Sequence, residues 1–146
     1  MREYVSEGIS ETAVIAQTYA KAVVEELVNG PVVVGLEGEL GAGKTTFVQA
    51  FAAALGISEK LKSPTFTILK KYKIAAGPFT HLYHIDCYRL RDSGDLKALG
   101  IEEILRQPDA VILIEWPERV ADILPAKRIT IHIDHVAEQK RRIIIS

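Results

Sequence analysis

The chain has 146 residues, 48% of them apolar and 25% charged, with a formal net charge of −1. That length suits one domain built on a single core, and the near-neutral balance excludes a global attraction to nucleic acid, leaving only a local patch for such contacts. The lone cysteine, Cys87, excludes an internal disulfide and suits a reducing cytosol. The opening MREYVSEGIS lacks an apolar signal core, and no stretch approaches the roughly 18 apolar residues of a membrane span; a cytoplasmic protein with no membrane contact is expected.

In chain order, residues 10–28 read as an amphipathic helix. Val14, Ala20, Val24, Leu27 and Val28 approximate one apolar face, Ser10 and Thr12 are candidate caps, and Asn29-Gly30 supplies a stop. The continuous apolar run 32–37 predicts a buried parallel strand. It leads into the glycine-rich stretch 38–46, GELGAGKTT, and then a helix over 44–55 that ends at Gly56. Residues 66–73 and 78–88, joined by the turn-prone AAGP, predict an antiparallel hairpin. A short helical stretch follows, with Asp92 or Ser93 as cap and Gly100 as a break. The run 110–115, AVILIE, is a second buried strand, and residues 128–132 and 141–145 predict two more that can pair. The fold class is α/β: a single P-loop NTPase-like domain with a mixed β-sheet flanked by helices. The pattern does not give the strand order.

GELGAGKT satisfies the phosphate-loop pattern G-x-x-x-x-G-K-[ST] at Gly38, Gly43, Lys44 and Thr45. Chance produces that pattern in a chain this long roughly once in a few hundred, given average glycine usage. Such a low rate decides against a glycine turn that binds nothing. Gly38, Gly41 and Gly43 let backbone N–H groups turn toward phosphates without Cβ collisions. Lys44 is placed to reach the β- and γ-phosphates and Thr45 to offer its hydroxyl to Mg²⁺, while the following helix adds its N-terminal partial charge. A phosphate loop needs a further carboxylate for Mg²⁺, usually at a neighbouring strand end. Glu115, closing AVILIE, is favoured for the metal; Asp86, closing the more polar HLYHID, is then free to orient water or the γ-phosphate. Guanine recognition by an N-K-x-D segment is impossible, because the only asparagine is Asn29, followed by glycine and proline. ATP is therefore the expected nucleotide.

Together, LEGELGAGKTTF, SPTFTI, HIDCYRL, LGIEEIL and IEWPER resemble, in order and approximate spacing, the bacterial TsaE family, small ATPases of tRNA threonylcarbamoyladenosine biosynthesis. The resemblance covers about residues 35–119. It implies ATP on Leu40, Gly41, Ala42, Gly43, Lys44 and Thr45, with Thr46 alongside, Mg²⁺ on Thr45 and Glu115, and a functionally required Asp86. It also implies that SPTFT is a switch segment near the γ-phosphate, with hydroxyl roles for Thr65 and Thr67; the residues alone also fit an edge strand with a turn. Further nucleotide contacts are implied around residues 9–12 and around Gln139. Such proteins do not themselves transfer threonylcarbamoyl to tRNA. The implied partners are the transferase subunit TsaD and its companion TsaB, which the ATP cycle resets between rounds, with any tRNA contact indirect.

Trp116, after the metal carboxylate, is a candidate contact to nucleotide or partner, and equally a core residue. Arg89 and Arg119 are candidate stabilising charges for hydrolysis or ordinary surface arginines. The pairs His81/His84 and His132/His135 have a spacing that puts each pair on opposite strand faces, which disfavours chelation. The KRR run at 140–142 and the lysines around 60–73 fit a solvated strand face better than a tRNA contact. Two other readings stay open: a small phosphate-loop kinase, for which RLRDSGD is the only lid-like stretch, and a non-hydrolysing ATP-dependent regulator.

Overall fold

The two apolar runs VVVGLE and AVILIE become adjacent parallel strands at the heart of a sheet, because residues buried on both faces need helices on both sides. The computed structural model describes residues 1–25, 30–39, 41–62, 67–75 and 77–146. In chain order its elements are β1 (Arg2–Ser6), α1 (Ile9–Glu25), β2 (Val32–Glu37), α2 (Lys44–Ala54), β3 (Leu69–Lys73), β4 (His81–Asp86), α3 (Gly94–Ala98), α4 (Ile101–Ile104) and β5 (Ala110–Glu115). A 3-10 segment over Pro117–Ile123 precedes β6 (Ile129–His135) and β7 (Arg141–Ile145). The sheet has seven strands in the order β1-β7-β6-β2-β5-β4-β3. The pairs β6/β2, β2/β5 and β5/β4 are parallel, whereas β1/β7, β7/β6 and β4/β3 are antiparallel. The expected mixed sheet flanked by helices is the observed architecture.

Strand alternation divides the core in two. Val32, Val34 and Leu36 of β2 join Val111 and Leu113 of β5 and Leu82 of β4 beneath α1 and α2. The opposite face sends Val33, Ile85, Ile112 and Ile114 against Leu96, Ile101 and Val120. Among the described residues, no helix is long and apolar enough to cross a membrane.

Several expectations need correction. Helix α1 begins at Ile9, ahead of Ser10, so neither Ser10 nor Thr12 caps it. Thr12 is buried and its hydroxyl shares a 2.7 Å hydrogen bond with that of Ser6. The buried face of α1 is Thr12, Ala16, Ala20 and Val23, while Val14 points outward at 59% exposure; small residues let α1 lie close against α2, with Ile15, Tyr19 and Val24 partly buried against the core. Leu27, Val28 and Asn29 lie outside the described residues. Strand β1 was not expected, since as a sheet edge it buries only Ser6 and shows no alternation of apolar residues. The hairpin forms, but β4 is shorter than 78–88, because Pro78, Phe79 and Thr80 belong to the approach and Cys87 begins a turn. Nor is β4 a polar strand in its setting: Leu82, Tyr83, His84 and Ile85 are all buried. Ser93 caps α3 by position only, its hydroxyl donating instead to Asp122 at 2.7 Å.

Candidate functional site

The phosphate loop leaves the C-terminal end of β2 and enters α2 at Gly43, which holds φ 107° as the residue preceding the helix. Gly38, at φ 144°, has a second constraint: a Cβ there would stand 2.5 Å from the Ile133 carbonyl oxygen of β6. Glycine is therefore required by close backbone approach as well as by conformation. Lys44 is buried, and its Nζ donates to the Gly38 carbonyl at 2.6 Å while sitting 3.9 Å from the centre of the Trp116 ring. Burial holds the ammonium below the usual lysine range, against the carboxylates of Glu115, Asp86 and Glu118, which pull it back up.

Asp86 and Glu115 are register partners at the ends of the parallel strands β4 and β5. Both lie on the sheet face that carries α2, so their side chains stand beside the loop. The Asp86 Oδ1 accepts the Tyr88 amide at 2.9 Å, and the Glu115 Oε2 accepts from His84 Nε2 at 2.8 Å. His84 is itself buried. Trp116 adopts φ 60°, in the left-handed region, which turns its indole back over Lys44 rather than continuing the strand. Its ring also meets Tyr88 at 5.2 Å, and the Arg119 guanidinium lies 5.8 Å from both rings. Trp116 packs on the apolar layer below and on the loop cation above.

These groups line one cavity of about 490 Å³. Gly41, Gly43, Lys44, Thr45 and Thr46 form its floor, and Asp86, Glu115 and Trp116 one wall; Arg89 also lines it. Gly8, Ile9 and Thr12 from the start of α1, and Glu138, Gln139 and Arg141 from the β6–β7 turn, close the far side. Both regions implied to contact nucleotide, 9–12 and around Gln139, therefore reach the same cavity as the loop. Ala42, within the loop, is buried. Leu40 and Thr65 lie outside the described residues. Thr67 is exposed and does not line the cavity, whereas its neighbour Ile68 does.

His84, whose spacing disfavoured chelation, is a buried structural histidine that holds Glu115; its i, i+2 relation to Asp86 puts both on one strand face. Arg141 looked like part of a solvated basic run. Instead its Nε donates to the Ala42 carbonyl at 2.9 Å, and its Nη1 donates to Ala137, Glu138 and Lys140 carbonyls at 3.0, 3.3 and 3.1 Å. One guanidinium ties the phosphate loop to the turn that walls the same cavity. The other histidine pair also separates: His132 sits between Asp134 at 2.8 Å and Glu37 at 3.4 Å. Burial lowers its basicity, but these bonds outweigh it and raise its pKa above the usual value.

A buried strand, a glycine loop with an inward lysine, a helix starting at that lysine and two strand-end carboxylates opposite define the phosphate-loop class of α/β proteins. The family model described as threonylcarbamoyl adenosine biosynthesis protein TsaE matches residues 7–143, and the chain belongs to the TsaE family. It is 42% identical over 111 residues to the tRNA threonylcarbamoyladenosine biosynthesis protein TsaE of Bacillus subtilis (strain 168), covering 76% of this chain and 66% of that protein. The protein of the same name from Treponema pallidum (strain Nichols) is 41% identical over 138 residues, covering 94% of this chain and 98% of the relative. The crystal structure of Bacillus subtilis YdiB superposes with a TM-score of 0.76 at 34% identity, covering 97% of this chain and 82% of that one.

Proposed function

We propose that this chain is a Mg²⁺-dependent ATPase serving threonylcarbamoyl modification of the tRNA adenosine beside the anticodon, where it resets the TsaB–TsaD transferase pair between rounds. The observation that carries the reading is the convergence on one cavity of the Lys44 ammonium with the strand-end carboxylates Asp86 and Glu115.

The residues present fit a nucleoside triphosphate and its metal. An ammonium has three donors, and Gly38 takes one of Lys44's, so the group retains capacity for phosphate oxygens. The glycine φ values of 79° at Gly41 and 107° at Gly43 suit backbone amides turned inward. Thr45 is exposed to the cavity and would hold Mg²⁺ together with Glu115. Held by these two residues, Mg²⁺ would supply positive charge against the phosphate oxygens. Lys44 holds the phosphates in register, and Asp86 orients the attacking water from the adjacent strand end. Leu40 is proposed as a further nucleotide contact. The segment with Thr65 and Thr67 responds to the γ-phosphate, so its loss alters the partner surface. Any tRNA contact is indirect, and the work takes place in the cytoplasm without a membrane.

Phosphate release from Mg·ATP by the purified chain, alone and with TsaB–TsaD added, tests this. Strong stimulation that Lys44→Ala abolishes is the expected result. A formed complex with no stimulation would leave an ATP-dependent regulator, and no complex would remove the assigned partners.

A further inference from the structure

The pair formed by His84 and Glu115 is a buried polar contact beside the cavity, with side-chain exposures of 3% and 10%. A buried carboxylate so near the loop must either be satisfied or carry a large desolvation cost. His84 Nε2 satisfies Glu115 Oε2 at 2.8 Å. The other ring nitrogen, Nδ1, is buried with no hydrogen-bond partner among the described residues. A proton on Nδ1 would be a buried unpaired donor, so the geometry selects the tautomer with its proton on Nε2. The imidazole then acts as a donor to Glu115 and nothing else. One carboxylate oxygen is occupied and the other, Oε1, is left for the cavity.

Strand β4 carries this donor at 84 and Asp86 two residues on, along the same face. We infer that His84 is a positioning residue for the metal: by holding Glu115 Oε2 it fixes the carboxylate so that Oε1 faces a divalent cation brought in with the triphosphate. This rests on the assignment of Mg²⁺ to Thr45 and Glu115. Partners of ligating carboxylates of this kind typically change metal affinity by about 10–100-fold when removed. The rigid ring sets the rotamer of Glu115 through a contact that a merely space-filling side chain would not supply.

The test is ATP binding by the full chain, followed by calorimetry, across a Mg²⁺ titration and also in chelator. His84→Leu fills similar space without a donor, and His84→Gln places an amide N–H where Nε2 stands. The expected result is that His84→Leu needs roughly tenfold more Mg²⁺ for half-maximal tightening of ATP, with metal-free ATP binding unchanged. His84→Gln recovers most of the loss. Should His84→Leu fail to fold by circular dichroism, His84→Asn, too short to reach Oε2, takes its place. Wild-type Mg²⁺ dependence in the donor-less variant would overturn the inference while leaving the metal assignment intact. Equal losses with and without Mg²⁺ would overturn it too, marking His84 as packing alone. If the wild-type chain itself shows no Mg²⁺ dependence, the metal assignment falls and the inference with it.

Discussion

Arg141→Ala isolates the brace between the phosphate loop and the turn opposite. The substitution removes the 2.9 Å bond from Nε to the Ala42 carbonyl and three bonds from Nη1 to the turn. Ala42 is only 1% exposed, and leaving a buried carbonyl without its donor costs about 1–3 kcal/mol. The turn carbonyls of Ala137 and Glu138 are exposed and exchange the guanidinium for water at little cost. A net loss of about 2 kcal/mol follows, and at about 2–4 °C per kcal/mol for a chain of this size the melting temperature falls by about 4–8 °C. Binding ATP must then order a loop that is no longer held, so affinity should fall on the order of tenfold, equivalent to about 1.4 kcal/mol. Arg141→Lys should behave like the alanine variant, because a single ammonium cannot span loop and turn as the planar fork does. Thermal denaturation and calorimetric ATP titration give the two readouts. An Arg141→Ala protein that melts with the wild type and binds ATP as tightly would refute the reasoning.

Lys44→Met should bind ATP far more weakly yet melt no lower than wild type. Burial disfavours the charged lysine, so between its lowered folded pKa and 10.5 the unfolded chain binds more protons, and at neutral pH the charge detracts from stability; a clear drop in melting temperature would contradict this. For His132 the sign is reversed. Its raised pKa contributes stability that is full below 6.5 and lost as pH rises through the folded value. Melting curves of wild type and His132→Gln from pH 5.5 to 8.5 should show the wild type losing its advantage with rising pH, and parallel profiles would disprove the coupling. Cys87 is fully buried, and burial, with the neighbouring Asp86 charge, pushes its thiol up to about 12. It should resist thiol reagents at pH 8 until the protein unfolds, and rapid labelling of the native chain would count against that burial.

The parts legible in the sequence were those written locally. Lys44 and Thr45 sit in a contiguous pattern, and AVILIE announced a strand buried on both faces, ending in Glu115. The turn-prone AAGP between two strand-like runs marked the β3–β4 hairpin without help from tertiary structure. Val14 was assigned to the wrong face because large apolar residues outweigh small ones in a periodicity count, whereas α1 packs through Ala16 and Ala20. Strand β1 stayed hidden, since pairing with β7 satisfies its backbone without asking for an apolar face. Arg141 was missed because it acts through a partner 99 residues away, and spacing along the chain carries no trace of such a pair; the bond from His84 to Glu115, 31 residues on, is equally invisible there.

The separation of Ala42 from Arg141 bears on the order in which the molecule comes together. The glycine loop is synthesised early, and its brace arrives 99 residues later. Contacts of such long range are the slow ones in folding, because loop closure must precede their reward. Strand β7 also supplies the edge on which β1 lies, with Arg2 opposite Ile145. A nascent chain paused short of β7 would already display Lys44 and Thr45, but without the clamp on Ala42 or a partner for β1. Tight capture of ATP would then begin only after 141–145 has docked, making the nucleotide a reporter of that docking.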